Sequence, residues 1–112
     1  MSRKILLLNT PEEQERTKKL YREIFPEDTE DFLDFYYKKR PKRILAMEED
    51  GEVIAMLHLN PFLLSFFGKE ITATYIYAVA TRKGKRKQGI MGELLRYSFQ
   101  LLEEEGEAFC FL

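Results

Sequence analysis

The sequence predicts an α+β fold built on a mixed, mostly antiparallel sheet, with its elements in the order β-α-α-β-β-β-α-β. Three observations carry this reading. Two helix-start signatures, at Thr10-Pro11 and at Asp28-Thr29, follow the first apolar run. Three β-like runs then succeed one another, punctuated by Asp50-Gly51 and Gly68-Lys69. From Ile90 the apolar spacing becomes helical, and the chain closes on the short apolar stretch EAFCFL.

The first strand is RKILLL, residues 3–8, an apolar run that stops at Asn9. NTPEEQERTKKLYREIF then opens a helix: Thr10 is its N-cap, Pro11 takes the first helical position, and Glu13 stands three residues past the cap. Leu20, Tyr21, Ile24 and Phe25 give that helix one apolar face, and Pro26 ends it. A second helix starts at Asp28 or Thr29, with Glu30 and Asp31 against the positive end of its dipole. Phe32, Phe35 and Tyr36 share a face there, and Pro41 is the stop.

RILAMEEDGEVIAMLHLNPFLLSF reads as a hairpin, because Asp50-Gly51 is the chemistry of a tight type I′ turn. Pro61 removes a ladder donor, so the second strand is expected to bend, bulge or lie at an edge there. FLLSFF, residues 62–67, reads as core or covered strand, or as an exposed border to a substrate groove. EITATYIYAVAT, rich in Ile, Thr, Tyr and Val, is the third run. Ile90, Met91, Leu94, Leu95, Ser98, Leu101 and Leu102 then fall on one helical stripe, which Gly106 stops. The last strand follows a helical crossover and is expected to run parallel to EITATYIYAVAT.

A chain of 112 residues fits one domain with a small core, here taken as 1–112. Its 45% hydrophobic and 13% aromatic content excludes disorder. A formal net charge of -1 removes any global case for nucleic acid or an anionic membrane, so a basic cluster must act locally. One cysteine, Cys110, precludes an internal disulfide, and with no secretory signal the cytoplasm is the expected compartment. The apolar run at residues 5–8 is too short to span a bilayer. One His and one Cys cannot make the four-ligand set of a structural zinc, so no metal is expected. LLEEEGE and TPEEQER read as solvated helix faces rather than carboxylate pairs.

The basic cluster lies in TRKGKRKQGIMGELL, residues 81–95, with five positive side chains in six positions before a helix. A nucleic-acid backbone, a nucleotide polyphosphate and plain solvent all suit that much charge. A helix start presents unpaired amides and the positive dipole end, which together attract anions. No Ser, Thr, Asp or Asn caps this one; Gln88 and Gly89 leave the amides open, and Gly89 permits close approach to the backbone. Lys85, Arg86 and Lys87 supply countercharge. Gly84 and Gly89 match half of a P-loop, but Ile90-Met91 replace its lysine and hydroxyl, and no G-x-G-x-x-G occurs.

Arg86-x-x-Gly89-x-Met91, after YIYAVAT and before IMGELLRYSFQLLEEEG, resembles the acetyl-CoA pyrophosphate loop of the GCN5-related N-acetyltransferase (GNAT) superfamily, [QR]-x-x-G-x-[GA]. Met91 stands where Gly or Ala is usual, with Gly92 next. The order of elements matches over essentially the whole chain. The resemblance implies that YIYAVAT and EAFCFL are a splayed parallel pair with the pantetheine arm between them. It implies that Ala78, Val79 and Ala80 contact the acetyl and pantetheine part. Arg86, Lys87, Gln88 and Gly89, with Ile90, Met91 and Gly92 of the first helical turn, would wrap the pyrophosphate. It also implies that the family's C-terminal part is missing, including the segment that often carries the tyrosine serving the thiolate.

Acetyl transfer to an amine needs a neutral nucleophile, an oxyanion donor and a proton for the departing thiolate. The backbone N–H near Val79 is the natural oxyanion donor. His58 is the only side chain whose ordinary pKa suits a base near neutrality, but with no partner motif beside it the reading as a hydrogen-bonded histidine at a sheet margin comes first. Tyr75 and Tyr77 border the splay as proton donors, or serve as core aromatics. The expected partners are acetyl-CoA and an amine, with no nucleic acid and no membrane. An open edge at FCFL suggests a homodimer or edge-strand self-association. The alternatives are a CoA-binding module without turnover and a nucleic-acid contact at RKGKRK.

Overall fold

The structure, a computed structural model, describes residues 2–106 and 109–111. One sheet of five strands runs in the order β1-β2-β3-β4-β5. These are β1 (Arg3–Leu8), β2 (Arg43–Glu49), β3 (Glu52–Phe66), β4 (Lys69–Thr81) and β5 (Phe109–Phe111). The first four are antiparallel neighbours, and β5 pairs parallel with β4 through Ala73↔Phe109, Thr74↔Cys110 and Tyr75↔Phe111. The expected element order and the parallel closing strand are both found. Glu107, Ala108 and Leu112, which the sequence assigned to that strand, lie outside the described residues.

The first predicted helix is a composite: α1 (Pro11–Gln14), a 3₁₀ turn (Glu15–Thr17) and α2 (Lys18–Ile24). Thr10 accepts from the Glu13 amide and Glu13 reaches back, the reciprocal box the sequence called for. The break has a local cause. Buried Thr17 turns its hydroxyl onto the Gln14 carbonyl (2.7 Å) and meets the Tyr37 hydroxyl at 2.7 Å, which tightens that turn. Thr29 caps α3 (Glu30–Lys39) by accepting from the Phe32 amide.

Asp50 and Gly51 both have positive φ, 51° and 86°, as a type I′ hairpin requires. The second turn is centred one residue earlier than the sequence suggested, on Phe67 (φ 50°) and Gly68 (φ 76°). Pro61 sits opposite Thr74 of β4, in a stretch where β2 has already ended, since its last pair with β3 is Arg43↔Leu59. β2 therefore does not flank Pro61, and a proline is tolerated in such an edge-like stretch of a long strand.

The sheet separates two apolar layers. On one face Leu8, Leu20, Tyr21, Leu33, Tyr36, Ile44 and Met56 pack α2 and α3 against the strands. On the other, α4 (Ile90–Glu104) lays Ile90 and Leu94 on Leu45, Leu57, Leu59 and Ile76. The helical stripe read from the sequence is the one buried: Ile90, Leu94, Ser98 and Leu102 are inside. Each large apolar side chain there contributes about 1.5–3 kcal/mol. On α3 the fully buried residues are Leu33, Tyr36 and Tyr37, while Phe32 and Phe35 remain exposed beside them. No helix among the described residues is long and apolar enough to cross a membrane.

Candidate functional site

Strand β4 carries the one irregularity in its ladder with β3. Met56 pairs with Ala80 and His58 with Tyr77, so Ala78 and Val79 together face the single residue Leu57. This is a β-bulge, and Ala78 takes a left-handed φ of 51° to make it. A non-glycine residue there costs about 1–2 kcal/mol, so the surroundings must hold it. They do: Ala78 is buried in the core beneath α2 and α3, and Val79 is left exposed. Past its last pair with β5, at Tyr75, β4 continues to Thr81. Ala78, Val79 and Ala80 all lie in that stretch, beyond the pairs with β5 found among the described residues.

From Thr81 the chain makes a 3₁₀ turn (Lys83–Lys85) and enters α4 through Gly89, which has φ 76° and no side-chain cap. The Gly89 carbonyl accepts from the Glu93 amide (3.1 Å), whereas the amides of Gly89, Ile90, Met91 and Gly92 find no acceptor among the described residues. A Cβ built on Gly89 would meet nothing within 4 Å, so the space in front of these amides is open. Met91, the departure from the usual motif, packs its half-buried side chain against the α4-side core and leaves the mouth clear, with Gly92 exposed beside it.

The basic residues divide. Lys85, expected as countercharge, is taken by Glu49 (2.6 Å), which also pairs with Arg3. Arg3 in turn donates to Gln88 Oε1 at 2.6 Å, so Gln88 is braced from β1. Arg82 pairs with Glu52 at 2.5 Å. Arg86 donates through Nε to the Thr81 carbonyl (3.2 Å), and neither it nor Lys87 has a carboxylate partner among the described residues. The loop thus keeps Arg86 and Lys87 as available charge and spends Lys85 and Arg82 on fixing its shape.

On the α3 face a groove of about 320 Å³ lies along β4, lined by Phe32, Phe35, Tyr36, Arg40, Asn60, Phe62, Tyr75 and Tyr77. Tyr75 and Tyr77 are therefore in it, their rings 5.6 Å apart. His58 is not. It is fully buried, its Nδ1 is 2.7 Å from the Tyr36 hydroxyl, and its ring stacks on Tyr36 at 5.6 Å. Burial, helped by the charge of Lys42, holds its pKa down to about 3. Of the two readings of His58, the hydrogen-bonded histidine of the sheet is the one this geometry fits, with the ring enclosed behind Tyr36 and away from the groove. Burial also pushes the Tyr36 phenol well above its ordinary range. Lys42 closes the end of α3, donating to the carbonyls of Tyr36 (2.5 Å) and Arg40 (2.6 Å), and burial lowers its pKa to about 8.

The sequence reading missed Asn60, Arg40 and the aromatic rim of α3 as site residues. Neither Arg40 nor Asn60 belongs to a motif in the sequence. A smaller cleft of about 140 Å³ is lined by Arg16, Lys19, Glu23, Glu52 and Arg82, and both of its glutamates pair with Arg82. Among the described residues no group of three or more His, Cys, Asp or Glu could hold a metal ion.

Comparison with known proteins agrees with this geometry. A profile described as acetyltransferase (GNAT) domain matches residues 8–112. An aminoglycoside acetyltransferase from an uncultured soil metagenomic sample superposes with a TM-score of 0.68 at 26% identity, over 99% of this chain and 78% of that one. A ribosomal-protein-alanine N-acetyltransferase from Brucella melitensis biovar Abortus 2308 gives 0.77 at 17% identity, over 99% and 79%. A probable N-acyltransferase from Enterococcus faecalis V583 gives 0.84 at 15% identity, and this chain spans 28% of its length. No curated protein sequence matches. With a bulged strand, an uncapped helix start and a family profile over nearly its whole length, the chain belongs to the GNAT acetyltransferase family.

Proposed function

We propose that the chain is an N-acetyltransferase that moves the acetyl group of acetyl-CoA directly onto a primary amine. The observation that carries this reading is the set of open amides from Gly89 to Gly92, one loop away from the bulge at Ala78-Val79. Those amides, with Arg86, Lys87 and Gln88, suit a diphosphate. The pantetheine arm is proposed to run along β4 past Ala78, Val79 and Ala80, of which Val79 is exposed.

In the reaction the amine nitrogen attacks the acyl carbon, a C–N bond forms, and charge gathers on the acyl oxygen. The Val79 N–H is the proposed donor to that oxygen; the left-handed turn at Ala78 swings the peptide out of the ladder. A preorganised donor of this kind is worth about 2.7–4 kcal/mol. The C–S bond then breaks, the thiolate takes a proton and the nitrogen gives one up. Tyr75 and Tyr77 are the proposed proton carriers, because they share the groove whereas His58 is closed off.

Calorimetry with acetyl-CoA and desulfo-CoA, followed by a thiol-release assay over an amine panel, tests the reading. Binding with amine-dependent thiol release supports it. Binding without release selects a CoA-binding module, and no binding of either ligand ends the reading.

A further inference from the structure

The groove beside β4 has a composition that restricts its occupant. Of the eight described residues that line it, six are aromatic, from Phe32 and Phe35 on α3 to Tyr75 and Tyr77 on β4. No carboxylate lines it among the described residues. Among the described residues its one cation is Arg40, which lies over the Phe62 ring at 5.1 Å and has no carboxylate partner there. Arg3, Arg16, Arg22, Arg43 and Arg82, by contrast, are all paired with glutamates.

Asn60 adds a second polar feature. It is buried, its Oδ1 accepts from the Tyr36 hydroxyl (3.2 Å), and its Nδ2 has no acceptor among the described residues. Among the described residues no fully buried side-chain nitrogen or oxygen lacks a partner, so Nδ2 has access to the groove it lines. The site therefore offers aromatic faces, a guanidinium and an amide donor, and no acidic acceptor.

We infer that the acceptor is a zwitterionic amine of amino-acid type, with an aromatic or large apolar side group on the rings and a carboxylate on Arg40. A guanidinium fork matches a carboxylate in geometry and charge, and Asn60 Nδ2 supplies a further donor. The rings take an apolar body of the size such a groove admits. A polycationic aminosugar is disfavoured twice: its ammonium groups meet Arg40 with no carboxylate to offset them, and its hydroxyls meet phenyl faces. The inference rests on the acetyltransferase reading for the amine's fate, while occupancy of the groove can be measured without acetyl-CoA.

The test is binding by saturation-transfer NMR and calorimetry with L-phenylalanine, L-phenylalaninamide and sisomicin as probes, then thiol release with acetyl-CoA. The expected order is phenylalanine ahead of its amide by about tenfold, the size of one charged hydrogen-bonded contact, with sisomicin undetected. Arg40→Gln should erase the difference between acid and amide, chiefly by weakening the acid. Equal binding of acid and amide to the wild-type chain, or sisomicin as the best ligand, overturns the inference, and needs no variant to fold. Binding of acetyl-CoA with no phenylalanine binding overturns the inference alone. Phenylalanine binding with no acetyl-CoA binding supports the groove's selectivity and removes the acetyltransferase reading.

Discussion

Gly89 and Gly68 give a matched pair of perturbations. Both have φ 76°, and at both an added Cβ would meet nothing within 4 Å. Alanine at either position therefore carries the same cost, the strain of an L-residue in the left-handed region, about 1–2 kcal/mol, without a clash. Gly68 sits in the turn between β3 and β4, while Gly89 opens α4. Urea unfolding should consequently shift to similar extents in Gly68→Ala and Gly89→Ala, with far-UV circular dichroism retained in both. Affinity should separate them. At Gly89 the methyl group enters the space in front of the free amides, so at least one charged hydrogen bond to a phosphate is lost. Such a bond contributes about 1.5–3 kcal/mol, or roughly ten- to a hundredfold in affinity. Acetyl-CoA titrated calorimetrically should bind Gly68→Ala like the wild type and Gly89→Ala at least tenfold more weakly. Equal affinity in the two variants would refute the amide cradle.

Further outcomes are expected elsewhere. Arg86→Ala should weaken CoA by about tenfold and leave pantetheine, which lacks the diphosphate, unaffected; calorimetry on both ligands reads the difference. The Glu49 carboxyl is held below its usual range by Lys85 first and Arg3 second. Its contribution to stability is present above the ordinary carboxylate pKa and is lost as pH falls through its lowered one. Urea midpoints measured from pH 6 to pH 3 should fall less steeply in Glu49→Gln than in the wild type. His58 should show no titration of its ring C–H resonances between pH 5 and 8, because burial keeps its pKa near 3, and a shift near pH 6.5 would contradict its sealed position. Leu94→Ala removes a fully buried contact between α4 and the sheet, and denaturant unfolding should register a loss of about 2–5 kcal/mol.

The parts of this fold that were legible in the sequence are those fixed by neighbours a few residues apart. Thr10, Pro11 and Glu13 announced a helix start because the cap exchanges hydrogen bonds within one turn. Asp50-Gly51 announced a hairpin because both residues accept positive φ. Ile90 to Leu102 announced a buried helix face through spacing alone. The illegible parts depend on residues far apart in the chain. Nothing in HLNPF says that His58 will lie under Tyr36, or that Asn60 will meet the same hydroxyl; α3 supplies that contact. Lys85 looked like one more phosphate ligand until β2 brought Glu49 to within 2.6 Å. The bulge at Ala78 carried no flag either, since alanine has no preference for φ 51° and is held there by the packing around it. Phe32 and Phe35 shared a face with Tyr36 as read, but only the fold makes that face a groove wall.

Amide chemical shifts offer the most direct test of what holds the diphosphate. A ¹⁵N–¹H correlation spectrum recorded during titration with CoA should move the Gly89, Ile90, Met91 and Gly92 resonances furthest, downfield in the proton dimension, with the Glu93 amide, already bonded to Gly89, moving less. Saturating changes confined to other parts of the chain, with those four amides still, would contradict the account.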